Sequence, residues 1–318
     1  MPPGRGRQTI SRVLRRYPFD SPWVRTIITR FWLPTWFATL SGLAIWFSTR
    51  GFFTPFLDAR LYVVATRAWL DGANPWDVQI NGLYFAAPPP TLIPLAPLAM
   101  LPLDLGVGVV ALSVVVGAVA TIRLLRLPWW WILFPPLVHS MLSGNVQALL
   151  VPLILLGAGP IAVLLKVYAG LPLLVLGRWR AVGITGLVML VTVPLLPWES
   201  FIGQFPQISE RLSEQSNYGL PTALLAILLP LALLALAVVG RERAAWLVVP
   251  AVWPAQQPYY GTLVLPTRSP LVTALVALPV PGSGLIALLV LAAVTWRSDR
   301  PERTRLRRVP VRPGPSTR

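Results

Sequence analysis

Apolar runs dominate the chain, and only a few polar stretches interrupt them. The first run, rich in Trp and Phe, covers 31–47, and residues 48–88 follow as the least hydrophobic stretch between apolar segments. From residue 89 onward the apolar segments come in quick succession, at 89–103, 105–122, 129–142, 145–159, 161–176, 181–197, 219–239, 244–263 and 270–296. A helix needs about 20 residues to cross a bilayer. Several of these segments are shorter and contain Pro. Such pieces predict broken, re-entrant or tilted helices around a cavity, because irregular backbone at membrane depth is tolerated only where protein or water covers it. The pattern predicts an all-α polytopic membrane protein. Its membrane domain is 31–296, with outer loops at 48–88 and 198–218 and cytoplasmic ends at 1–30 and 297–318.

Composition sharpens this. The chain is 55% hydrophobic and 12% charged, against about 25% charged in a soluble domain, which argues against a soluble enzyme. The net charge is +16, and Lys166 is the only lysine among 27 basic residues. Arginines cluster before the first apolar run (Arg5 to Arg30) and after the last (Arg297 to Arg318). Basic ends beside apolar runs read as topology signals that face anionic lipid, not as nucleic-acid arms. The expectation is a multi-pass plasma-membrane protein with both termini in the cytoplasm, the bilayer as partner and no nucleic acid. The basic opening does not read as a cleaved signal peptide. If every segment crosses there are ten spans. If 89–122 crosses once and 161–176 does not cross there are eight, and the charge of Arg123 and Arg126 favours eight.

Cysteine is absent and His139 is the only histidine. Disulfides, thiolate metal sites, a Cys nucleophile, a multi-His metal centre and a Ser-His-Asp triad are thereby excluded or made improbable. Chemistry is left to carboxylates, amides, Tyr, Lys166 and Arg, and no metal or cofactor is expected. The first outer loop is the informative place. Asp58, Tyr62, Ala65 and Trp69 fall at i, i+4, i+7 and i+11, one stripe of a helix. Gly72 stops that helix and Asn74-Pro75 turns the chain. A carboxylate there reaches both water and headgroups and can act as general base toward a hydroxyl; the alternative is a simple helix cap. Asp71 and Asp77 read as turn residues.

The run Asp58-x3-Tyr62-x2-Ala65-x3-Trp69-Leu70-x-Gly72-x-Asn74-Pro75-Trp76, then Phe85-x2-Pro88-Pro89 and Pro97-Leu98-x2-Leu101-Pro102, resembles glycosyltransferase family 87. These are polyprenol-phosphate-mannose-dependent mannosyltransferases and relatives of the GT-C membrane fold. Ser143-Gly144-Asn145-Val146-Gln147, Lys166 with Pro172, Arg178-Trp179-Arg180 and Asn217-Tyr218-Gly219-Leu220 continue the resemblance in order. The chain departs from the family pattern at Ala87, where relatives carry Tyr, and around Trp253–Tyr260, where they often carry His.

The resemblance implies an inverting hexosyl transfer, commonly of mannose. The donor is a polyprenyl-phosphate sugar and the acceptor a glycan or glycolipid hydroxyl, with Asp58 as base and no cofactor. It offers Arg60, Arg67 and Arg268 as cations for the lipid phosphate, with His139 beside them. Asn145 and Gln147 would bind sugar hydroxyls, and Tyr62, Trp69 and Trp76 a sugar face. Each has a plainer alternative: headgroup anchors for the arginines, interhelical hydrogen bonds for the amides, an aromatic belt for the rings. Lys166 reads as an interfacial anchor on the cytoplasmic side. A transporter and a non-catalytic lipid-binding relative are the rival functions.

Overall fold

A computed structural model describes residues 26–52, 54–214 and 218–306. The basic ends at 1–25 and 307–318, and Asn217 of the late match, lie outside the described residues. The fold is mostly helical. Helical backbone runs unbroken from Ile28 to Phe52, with α1 (Leu33–Phe47) between two π-helical turns. The expected loop helix is α2 (Leu57–Leu70), and Gly72, at φ 80°, ends it as a residue without Cβ can. A two-stranded ribbon follows, β1 (Gln79–Ile80) with β2 (Leu83–Tyr84), antiparallel with Ile80 opposite Leu83. This is a small departure from an all-helical reading. Its turn is Asn81-Gly82, both at positive φ, the pair that a tight hairpin demands.

Proline then cuts the apolar sequence into pieces. The segment 89–103 becomes a 3-10 turn (Pro89–Thr91) and α3 (Leu92–Ala99), packed on α2; the crossing-length helix is α4 (Leu103–Leu124). Next come α5 (Pro135–Ser143), α6 (Gln147–Leu155), α7 (Gly159–Leu165), a 3-10 turn (Val167–Ala169), α8 (Gly170–Leu176) and α9 (Trp179–Thr192). The second polar stretch is an amphipathic helix, α10 (Trp198–Glu214), and not an irregular loop. After it run α11 (Thr222–Val239), α12 (Arg241–Val252), a 3-10 helix (Pro258–Thr267), α13 (Pro270–Val276) and α14 (Ser283–Leu306). Gly284 lets α14 approach the backbone of Pro250 on α12, where a Cβ would sit 1.9 Å from the carbonyl oxygen.

Two of the described helices, α4 and α11, are long and apolar enough to cross a membrane. Counting α5 and α6 as one span bent by 115° makes three. Only 28% of the apolar window of α11 is buried inside the protein. Its outward face carries Ile227, Leu233 and Leu234, and that of α4 carries Leu112 and Val116. Outward apolar faces of this extent suit lipid, not water. Most of the other apolar segments are cut into shorter helices, where Pro removes an intrahelical bond and clashes with the preceding turn.

Candidate functional site

Three of the helix breaks share one destination. The turn between α5 and α6, the kink between α7 and α8, and the strand-like exit from α12 all line a cavity of about 810 Å³. The wall from the first loop is the start of α2 together with the ribbon and Phe85. Irregular backbone leaves amide and carbonyl groups without helical partners, so polar side chains collect where the helices break. Asn145, Lys166 and Gln257 each stand at such a break.

Asp58 projects from the first turn of α2 into this cavity. Its seat is built by the 142–145 turn. The Phe56 amide donates to the Leu142 carbonyl at 2.7 Å. Asn145 Nδ2 donates to Asp58 Oδ2 at 3.0 Å, while Asn145 Oδ1 accepts from the Gln147 amide at 2.9 Å. The second bond fixes the Asn145 side chain in an Asx turn and so fixes which atom faces the carboxylate. Gly144, at φ 69°, lies so close that a Cβ would approach the Ala59 Cβ to 2.6 Å. Helix α2 has Phe56 at its N-cap, with no side-chain cap bond. The carboxylate of Asp58 therefore reaches into the cavity and does not cap its own helix. Burial pushes its pKa above the ordinary carboxylate range, and the Asn145 bond, the Lys166 charge and a Ser143 bond pull back against that rise.

Lys166 is the correction. Read from sequence as a cytoplasmic anchor, it lines the cavity with Asp58, its Nζ 5.4 Å from the centre of the Tyr62 ring. Among the described residues its ammonium makes no hydrogen bond or ion pair, while its backbone bonds to Ala162 and Ala169. Hydropathy could not reveal this, because a lone lysine between apolar halves looks like an end. The signal available was its position: a helix break with the only lysine of an arginine-biased chain.

Of the residues proposed from sequence, Tyr62, His139 and Asn145 line the cavity with Asp58. Gln147 is fully buried behind it and accepts a hydrogen bond from the Tyr168 hydroxyl. The three arginines are not brought there. Arg60 is two residues from Asp58, about 200° around the helix; it is exposed and pairs with Asp104 at 3.3 Å. Arg67 lies about 180° from Asp58 by the same geometry and donates to the Ala99 and Leu101 carbonyls at 3.1 and 2.7 Å, closing the end of α3. Arg268 is exposed and caps the far end of the Pro258–Thr267 helix, roughly 20 Å along a 3-10 helix of that length from its cavity end.

Trp76 is fully buried, and its indole N–H donates to the Ala87 carbonyl at 3.1 Å; Trp69 is half-buried on α2. Neither lines the cavity. Asp71 is exposed at the end of α2, and Asp77 is exposed and accepts from Asn74 at 2.8 Å. Sequence reasoning missed the aromatic residues at the α12 exit, Trp253, Tyr259 and Tyr260, and Tyr168 beside Lys166, all of which line the cavity.

Among the described residues no group of three or more acidic, His or Cys side chains stands ready for a metal ion. The cavity's arrangement is one seated carboxylate, one ammonium across from it and a wall of phenols. That set can take a proton from a hydroxyl and stabilise an anionic leaving group in the same space. No family model, curated protein or solved structure matches this chain.

Proposed function

We propose that the chain is a membrane glycosyltransferase that moves a hexose, mannose by family resemblance, from a polyprenyl-phosphate carrier to a hydroxyl of a glycan or glycolipid. The observation that carries this reading is the seat of Asp58, a carboxylate fixed by the 142–145 turn in a cavity whose other charged wall is Lys166. In the proposed reaction the acceptor oxygen bonds to the anomeric carbon as its proton passes to Asp58. The anomeric C–O bond to phosphate breaks with its electron pair on the phosphate, inverting the centre and releasing polyprenyl phosphate. The raised pKa of Asp58 suits a base that must take up a proton readily. Lys166 takes the role first offered to the arginines, as the cation for the phosphate oxygens.

The finer architecture belongs to the same proposal. It is a GT-C-type bundle of eight to ten crossings in the plasma membrane, with both termini in the cytoplasm and the cavity at the outer face. Two features support it. Residues 48–88 and 198–218, both assigned outside, touch each other: Gln204 Nε2 donates to Asp77 at 3.3 Å and Phe201 packs on Trp76 at 5.2 Å between ring centres. Arg60 and Asp104 pair at one end of α4, with Arg123 and Arg126 at the other.

The test is Asp58→Asn in the full-length protein in lipid nanodiscs, assayed against a panel of polyprenyl-phosphate hexoses with a glycolipid acceptor. Loss of the base should cost about 10²–10⁴-fold in rate with membrane insertion intact. Wild-type turnover by this variant excludes the mechanism. Turnover absent in the wild type across the panel favours a non-catalytic lipid-binding relative.

A further inference from the structure

The wall facing α2 contains a ladder of aromatic rings. His139 and Tyr259 lie 5.8 Å apart between ring centres, Tyr259 and Tyr260 5.5 Å with a 20° tilt, Tyr260 and Tyr168 4.6 Å, and Tyr168 and Trp253 5.3 Å. All five rings line the cavity. The inner rungs turn their faces to one another. Trp253, the terminal rung, meets no further ring among the described residues and is half-buried. The ladder is held stiffly. Trp253 directly precedes Pro254, Tyr259 and Tyr260 directly follow Pro258, and the Tyr168 hydroxyl donates to buried Gln147. Tyr259 Oη and Trp253 Nε1 make no hydrogen bond within the described protein.

The proposed chemistry occupies Asp58 and Lys166 but leaves this wall without a task. Its composition selects a ligand class. The charged residues lining the cavity are one carboxylate and one ammonium, with His139 beside them, so a polyanion such as a nucleotide would find a single full cation. A peptide would need partners for a row of amide and carbonyl groups, and rings supply few. A pyranose has an apolar face of polarised C–H bonds and a rim of hydroxyls. Aromatic faces carry a negative quadrupole that attracts such C–H bonds, and Tyr and Trp add a polar handle at the edge. Rigid aromatic side chains also lose little entropy on binding.

We infer that Trp253 with its ring face, and Tyr259 with its hydroxyl edge, backed by Tyr260 and Tyr168, form the seat for one neutral pyranose ring. The inference rests on the transferase reading for the phosphate and for the base, and adds the residues that recognise sugar. The ring is either the donor's transferred hexose or the acceptor's terminal hexose, and two arms of one experiment separate these.

The protein is the full-length chain carrying Asp58→Asn, so that binding is read without turnover, and calorimetry is the measurement. In the donor arm, polyprenyl-phosphate hexose is compared with bare polyprenyl phosphate. In the acceptor arm, methyl hexopyranosides are titrated onto protein already holding polyprenyl phosphate. A seat for the donor gives at least tenfold tighter binding of the glycosylated carrier. A seat for the acceptor gives saturable glycoside binding. Adding Trp253→Leu or Tyr259→Leu should reduce either gain to less than twofold while bare polyprenyl phosphate binds as before. If a Leu variant also loses the carrier lipid, Tyr259→Phe, which keeps the ring and its packing, still weakens the sugar step by about threefold or more. No sugar contribution in either arm overturns the inference, and so does a contribution that survives all three variants. Sugar binding that depends on Trp253 and Tyr259, without wild-type turnover, would remove the transferase reading and leave the seat standing. Turnover indifferent to the Trp253 and Tyr259 variants would do the reverse.

Discussion

Residues 48–88 and 198–214 are both polar interruptions of an apolar chain, and they pack very differently. The first contributes Leu57, Leu61, Tyr62, Trp76 and Phe85 to the buried core, with Tyr62 and Trp76 in ring contact with Phe85. The second buries Ile208 alone, leaves Ile202 65% and Phe205 55% exposed, and leans on the first from outside. Arg211 holds it there, over the Tyr84 ring at 4.0 Å and donating to the Trp76 carbonyl at 3.3 Å. Polarity tells that a segment avoids the bilayer core. It does not tell whether the segment is a wall of the site or a cover laid across it. The alternation of buried aromatic and polar residues in 57–87 makes it a wall. The lengthwise stripe of Phe201, Phe205, Ile208 and Leu212 makes 198–214 a surface helix.

Substitutions should grade the two regions. Below the loss expected for Asp58→Asn, the largest effect is Trp76→Ala. Removing a fully buried indole should destabilise by about 3–5 kcal/mol, read as a lowered midpoint in thermal unfolding, and should loosen α10 as well because Phe201 rests on the same ring. Gly144→Ala comes next. It forces a Cβ into a left-handed conformation, at about 1–2 kcal/mol, and drives it into Ala59. If α2 shifts by about 1 Å, transfer should fall by about 10²-fold, with substrate affinity changing much less. A Gly144→Ala protein with wild-type turnover would show that the seat does not position Asp58.

Asn145→Ala acts through acidity. The Asn145 bond favours the ionised carboxylate, so its removal lets the Asp58 pKa climb further above the ordinary range. The acid limb of the rate profile should move to higher pH, and activity lost at neutral pH should return in part as the pH is raised. A limb that stays in place would assign Asn145 to packing alone. The smallest effect belongs to the cover. Arg211→Ala removes a partly exposed cation–π contact, worth about 0.5–1 kcal/mol. It should raise protease sensitivity in 198–214 with little change in the midpoint of unfolding; a drop as large as that of Trp76→Ala would make α10 part of the core.

Much of this was legible in local sequence. The Asp58 to Trp69 spacing foretells α2, and Gly72 its end. The short, Pro-cut apolar runs foretell broken helices, and Asn81-Gly82 holds the signal for the ribbon. The arginines failed for a reason visible in the helix period, since Arg60 and Arg67 could not share a face with Asp58. Lys166 and the Trp253–Tyr260 rings could not be found that way. Residues 58, 166 and 253–260 come together only through long-range packing, and hydropathy carries no information on which breaks meet.

Asp58 and the asparagine that seats it are 87 positions apart in the chain. At synthesis rates of about 5–20 residues per second, roughly 4 to 17 seconds separate their emergence. Until the 142–145 turn has been made, Asp58 lacks the hydrogen bond that seats it. Its placement in the cavity is therefore a late product of assembly.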